Sequence, residues 1–115
     1  MLFDTSIVID MLRKRRPYQY GSISTITLLE YVRGVPESEM LETLSLLKQS
    51  FQIYAIDDNV VLVYSKLYKA LKQRKQIMKD ADLIIAATAH TKSEKLLVKD
   101  KDFDVLSELI DMTRE

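Results

Sequence analysis

Met1-Leu2-Phe3-Asp4-Thr5-Ser6-Ile7-Val8-Ile9-Asp10-Met11-Leu12 opens the chain and decides its fold class. The first three residues are apolar without interruption and read as a short buried strand. From Thr5 onward the apolar Ile7, Val8, Met11 and Leu12 recur at helical spacing. The change of period falls on one acid, Asp4. A strand that passes directly into a helix is half of a βαβ unit, and its repetition along a chain implies a parallel sheet.

The repetition is there. Arg13-Lys14-Arg15-Arg16 and Pro17 close the first helix, Gly21 to Ser24 reads as a second strand, and Thr25 to Arg33 returns to helical spacing. Gly34 and Pro36 end that segment. Glu39 to Gln49 places Met40, Leu41, Leu44 and Leu47 on one helical face, and Phe51 to Ile56 is a third strand. Asp57 or Asp58 caps a long amphipathic helix with Val60, Val61, Tyr64, Leu67, Tyr68 and Leu71 inward. Asp80 to His90 is another helix, Lys95 to Lys99 a fourth strand and Leu109 to Thr113 a fifth. The expected fold class is α/β: a parallel sheet of four to five strands flanked by helices, with no internal repeat.

The 115 residues, 47% of them hydrophobic, suffice for one compact domain over 1–115 and not for two. Lys+Arg and Asp+Glu both number 17, so no global basic field marks a nucleic-acid binder, and any attraction for phosphate must be local. The absence of cysteine excludes a disulfide framework, a thiolate zinc site and a cysteine nucleophile. The N-terminus has no signal-peptide pattern and no stretch is long enough to span a membrane, so the expectation is a cytoplasmic protein.

Within this frame four acids fall where strands run into helices: Asp4, Glu30, Asp82 and Asp100. In open parallel sheets these connections share one rim, where ligands bind at the reversal of strand order. Each acid alone has a structural explanation. Asp4 caps the first helix, Thr27-Leu28-Leu29-Glu30 matches a capping box, Asp80 or Asp82 favours a helix N-terminus, and Asp100 caps a turn before Phe103. Together they form a self-repelling cluster, relieved by a divalent cation or a shared proton. Asp82 opens the apolar run Leu83-Ile84-Ile85-Ala86-Ala87, which leaves little local cation to neutralise them. Oxygen donors suit Mg²⁺ or Mn²⁺, and the lone His90 argues against zinc. Such a site points to phosphodiester hydrolysis.

Four segments then resemble the PIN-domain ribonucleases, especially VapC-type toxins. They are Leu2 to Ser6, Ile26 to Gly34, Asp82 to Ala89 and Leu97 to Phe103, in the family's order, with 18 residues from Asp82 to Asp100. The resemblance implies a three-layer α/β/α fold and Asp4, Glu30, Asp82 and Asp100 as catalytic, metal-binding acids. It further implies one or two Mg²⁺ or Mn²⁺ ions, endonucleolytic cleavage of RNA, homodimerisation and an antitoxin partner. Asp102 and Asp80 are competitors for the roles of Asp100 and Asp82, and Thr5, Ser6 and Thr27 are candidates to orient carboxylates or bind phosphate. Arg13, Lys14, Arg15, Arg16, Arg33 and Lys99 are candidate RNA contacts, with single strands the expected substrate. Two departures stand out: Val98, where many relatives carry Thr or Ser, and a short Asp4 to Glu30 interval. The alternatives are a catalytically weak or inactive module of the same fold that binds RNA or protein, and a receiver-like domain phosphorylated at Asp57 or Asp58.

Overall fold

The computed structural model describes residues 1–115. Five strands, β1 (Leu2–Phe3), β2 (Ser22–Ser24), β3 (Gln52–Tyr54), β4 (Leu96–Val98) and β5 (Met112–Arg114), pair in the order β3-β2-β1-β4-β5. Every pairing is parallel, with Leu2 opposite Ser22 on one side and Leu96 on the other. The helices are α1 (Thr5–Leu12), α2 (Thr25–Val32), α3 (Met40–Ser50), α4 (Asp58–Gln73) and α5 (Asp80–Thr91), with 3₁₀ turns at Glu37–Glu39 and Lys101–Leu106.

Side chains alternate across the sheet as the strand period requires, and they sort the core into two layers. Leu2, Leu96 and Val98 join Val60, Leu67, Leu71, Leu83, Ile85, Phe103 and Leu106 on the face covered by α4, α5 and the second 3₁₀ turn. Phe3, Ile23 and Leu97 join Ile7, Val8, Met11, Leu28, Leu47 and Phe51 on the opposite face, under α1, α2 and α3. The sandwich is therefore helix, sheet, helix. Gly21 lets β1 and β2 approach: a Cβ there would lie 2.5 Å from Phe3 Cε2 and 2.7 Å from the Met1 carbonyl oxygen.

The structure corrects several boundaries. The fifth strand is Met112–Arg114 rather than Leu109 to Thr113, because the amides of Leu109 and Ile110 both turn back to the Leu106 carbonyl at 2.9 and 3.1 Å. The 3₁₀ turn Lys101–Leu106 was not anticipated; its apolar residues Phe103 and Leu106 are too few to show a helical period, yet both are buried. On α4, Val60, Leu67 and Leu71 point inward as expected. Val61 and Tyr68 do not, being about half exposed. Three helices end alike. Lys14, Lys75 and Ser93 take left-handed φ values of 59°, 57° and 54°, and the amides of Arg15, Gln76 and Glu94 return to the carbonyls of Asp10, Leu71 and Ala89. This is the Schellman closure, made here without glycine.

Candidate active site

Strand order reverses between β1 and β4, and the acids that follow these two strands are Asp4 and Asp100. That reversal is where an open parallel sheet leaves a crevice at its carboxyl ends. Asp4 is held from both sides. Its N–H donates to the Leu97 carbonyl of β4 at 3.0 Å, and its Oδ1 accepts from the Ile7 amide at 2.9 Å as the cap of α1. It is only 2% exposed, and no ion pair reaches it. Burial lifts its carboxyl from 3.8 to about 6. The amides of Ile7 and Lys99 oppose that lift, and the charges of Asp82 and Asp100 add to it.

Asp82 lies in the first turn of α5, half-buried. Burial raises its carboxyl above the usual range, and the charges of Glu30, Asp100 and Asp102 raise it further against Lys79. Its place in the first turn suits the helix dipole, but it does not cap the helix. The position before α5 is Lys79, no side chain caps that end, and Asp80 accepts a hydrogen bond from the Tyr64 hydroxyl at 2.6 Å instead. Asp80 is thus tied to α4, which weakens it as a competitor for Asp82.

Glu30 reaches the same rim from α2. Its Oε1 accepts from Thr5 Oγ1 at 2.7 Å, and Thr5 Oγ1 also lies 3.1 Å from Thr27 Oγ1. Its Oε2 is 3.8 Å from Arg33. The capping-box explanation fails here too, because α2 is capped by Ser24, which accepts from the Ile26 amide at 3.2 Å. Thr5 and Thr27 work as a hydroxyl pair that orients Glu30, as a carboxylate-orienting role requires. Asp100 is exposed and does cap: its Oδ1 accepts from the Asp102 amide at 2.9 Å, which starts the 3₁₀ turn. Asp102 is exposed beside it.

The four acids thus form one electrostatic cluster, in which Asp4 senses Asp82 and Asp100, and Asp82 senses Glu30 and Asp100. No three of the carboxylates or His90 converge tightly enough to clasp one ion directly. The donor set still fits a hard cation, because Mg²⁺ takes one or two carboxylates and fills its remaining positions with water. His90 is exposed at the far end of α5 and contributes nothing. Val98 is fully buried in the α4–α5 layer, so a hydroxyl in its place would enter that core.

The sequence reading overlooked Asp10, a buried acid near the end of α1, because a lone acid between Ile9 and Met11 looks like an ordinary helix residue. Its Oδ2 accepts from Lys99 Nζ at 2.9 Å, with Arg15 at 3.9 Å, and its carboxyl is held below the usual range chiefly by the Lys99 hydrogen bond. Lys99 is thereby tied to α1. Of the basic run, Arg15 and Arg16 line the adjoining surface cavities and Arg13 and Lys14 do not. Asp57 caps α4 and pairs with Lys92. It follows the edge strand β3, two strands away from β1, which removes the receiver-like alternative: such a site needs its acceptor carboxylate beside the acids of the central strands.

Known proteins resemble this chain in sequence and in fold. The PIN domain profile matches residues 1–109. Ribonuclease VapC1 of Methanocaldococcus jannaschii is 41% identical over 103 residues, covering 88% of this chain and 76% of that protein. Among solved structures, DNA-bound VapBC from Salmonella typhimurium superposes with a TM-score of 0.84 at 15% identity, covering 98% of this chain and 96% of that one. VapBC-1 from nontypeable Haemophilus influenzae gives 0.82 at 20%, with the same coverage. These two likenesses show a shared fold. Family profile and relative agree, and the chain belongs to the PIN-domain family, in its VapC ribonuclease group.

Proposed function

We propose that the chain is an Mg²⁺- or Mn²⁺-dependent endoribonuclease that hydrolyses phosphodiester bonds of single-stranded RNA through Asp4, Glu30, Asp82 and Asp100, and that it is the toxin of a toxin–antitoxin pair. The observation that carries this reading is Asp4: a 2% exposed carboxylate that caps α1, has no ion-pair partner, stands at the switch point of the sheet and feels the charges of Asp82 and Asp100. A structural protein gains nothing from that arrangement, and a catalytic one uses it to hold a cation. The 41% identity to a protein named as a ribonuclease supports the same activity class.

Asp4 and Asp82 are carboxylates that burial and neighbouring acids make harder to ionise, so they would hold the ion, with Glu30 and Asp100 completing the shell directly or through water. The ion, when bound, supplies a positive charge beside the scissile phosphate and a more acidic water. Thr5 fixes the rotamer of Glu30. A carboxylate of the cluster accepts the proton of the attacking water. Exposed Leu29, Leu41 and Leu46 on α2 and α3 offer apolar surface for an antitoxin segment or a second copy in a homodimer, and the relatives solved as VapBC complexes support an antitoxin partner.

One observation favours a second reading. The carboxylates are not drawn together into a ready chelate, which suits a module of this fold that binds RNA or protein with weak or no turnover. The deciding experiment is cleavage of a mixed single-stranded RNA by purified protein with Mn²⁺, Mg²⁺ or chelator, beside Asp4→Asn and Asp82→Asn. Metal-dependent cutting that both folded variants lose establishes the nuclease. RNA binding without cutting establishes the module, and cutting that survives both changes rejects the acidic rim as its source.

A further inference from the structure

We infer that the RNA backbone enters the acidic rim along a cationic groove built by Ser6, Arg15, Lys99, Lys101 and Arg114, with Asp100 at its inner end; the inference rests on the ribonuclease reading above. These residues line one cavity of about 530 Å³. A neighbouring cavity of about 570 Å³ shares Asp10, Arg15 and Lys99 with it and continues to Arg16 and the exposed Tyr18. The two make one trough that starts at Asp100 and runs away from the site.

Charge sets this trough apart. The chain as a whole is neutral, yet across the two cavities five cations, Arg15, Arg16, Lys99, Lys101 and Arg114, meet three acids, Asp10, Asp100 and Glu115. The cations are also arranged before any ligand arrives. The left-handed turn at Lys14 folds the chain back so that the Arg15 amide reaches the Asp10 carbonyl at 2.8 Å, which places the Arg15 guanidinium 3.9 Å from the Asp10 carboxylate. Asp10 anchors Lys99 at 2.9 Å, and Asp104 anchors Arg114 at 2.8 Å. Both cations remain about half exposed, free to donate to a second anion. Lys101 makes no ion pair. The Ser6 side chain, on the first turn of α1 after Asp4, faces the same cavity. Partly neutralised, fixed cations with open donors suit the repeating monoanions of a sugar-phosphate backbone that leads to Asp100.

The test is fluorescence anisotropy of a labelled oligouridylate with the full chain across a salt series in chelator, comparing wild type with Lys101→Gln, Arg15→Gln and a control, Lys69→Gln, on the outer face of α4. Each lost phosphate contact flattens the slope of log Kd against log salt by about 0.7, so the groove variants bind about fivefold more weakly at ~0.1 M salt and no differently near ~1 M. The control matches wild type. In cleavage assays Lys101→Gln raises KM and leaves kcat in place. Wild-type binding with unchanged slopes in both groove variants overturns the groove and leaves the ribonuclease reading standing. A wild type that neither binds nor cuts RNA overturns both. Lys101 is exposed and unpaired, so its variant tests the groove without disturbing the fold.

Discussion

In ligand-free protein, Asp4→Asn is expected to raise stability near neutral pH and to leave it unchanged in acid. Asparagine matches aspartate in shape, caps helices about as well, and keeps an oxygen for the Ile7 amide. What it removes is a charge on a carboxyl that is 2% exposed and lifted from 3.8 to about 6. At ~1.4 kcal/mol per unit, that lift of about 2 units means the folded state carries roughly 3 kcal/mol of cost for keeping Asp4 ionised. Because the folded pKa lies above the unfolded one, the stability contributed by protonated Asp4 is fully present below about pH 4. It is lost as the pH rises through about 6. An asparagine oxygen cannot serve the Ile7 and Lys99 amides as well as a carboxylate does, which offsets about 1 kcal/mol. The net gain near pH ~8 is then about 2 kcal/mol, or roughly 8 °C in thermal midpoint for a domain of this size. Thermal unfolding followed by circular dichroism in chelator, at pH values near ~4 and ~8, measures it for both proteins. A variant no more stable than wild type near pH ~8 would refute the claim that Asp4 is an uncompensated buried charge, and an equal gain at both pH values would show an effect unrelated to ionisation. Added Mn²⁺ should narrow the gap by stabilising wild type alone, since the ion supplies the charge that the variant no longer needs.

Three further outcomes follow from the geometry. Thr5→Val removes the hydroxyl that orients Glu30 and should lower kcat in the RNA cleavage assay, with stability reduced by only about 1 kcal/mol; unchanged turnover would show that Glu30 needs no such support. Gly21→Ala drives a methyl into the Phe3 ring and the Met1 carbonyl, which cannot retreat because it accepts from the Ser22 amide at 3.0 Å, so urea unfolding should report a loss of about 2–3 kcal/mol. Lys75→Gly relieves a left-handed residue at the end of α4 and should stabilise by about 0.5–1 kcal/mol, read as a higher urea midpoint at unchanged m-value.

The alternation of short apolar strands with amphipathic helices was enough to predict the α/β class and parallel pairing, because burial on both faces of a strand and on one face of a helix leaves a direct trace in residue order. Of the four acids, Asp4 and Asp100 sit at a change of period that residue order makes visible, whereas Glu30 and Asp82 lie inside α2 and α5. The pattern failed where packing decided the outcome. Lys101–Leu106 is held by two buried anchors rather than a repeating stripe, Val61 and Tyr68 look inward by spacing yet face solvent, and β5 starts later because the preceding amides satisfy themselves on Leu106.

Residue order alone thus determined which chemistry the chain carries: carboxylates after two strands and within two helices, no cysteine, a single histidine and no net charge. Tertiary structure decided what each group can do. Strand order placed β4 beside β1 and so brought Asp100 to Asp4. It also brought Lys99 to Asp10 across 89 positions and Thr5 to Glu30 across 25, and it exposed the acids at α5 and α2 as uninvolved in capping. These are contacts between distant segments, and local propensity and period say nothing about them. Burial of Asp4, the largest single influence on its ionisation, exists only once both layers have closed over the sheet.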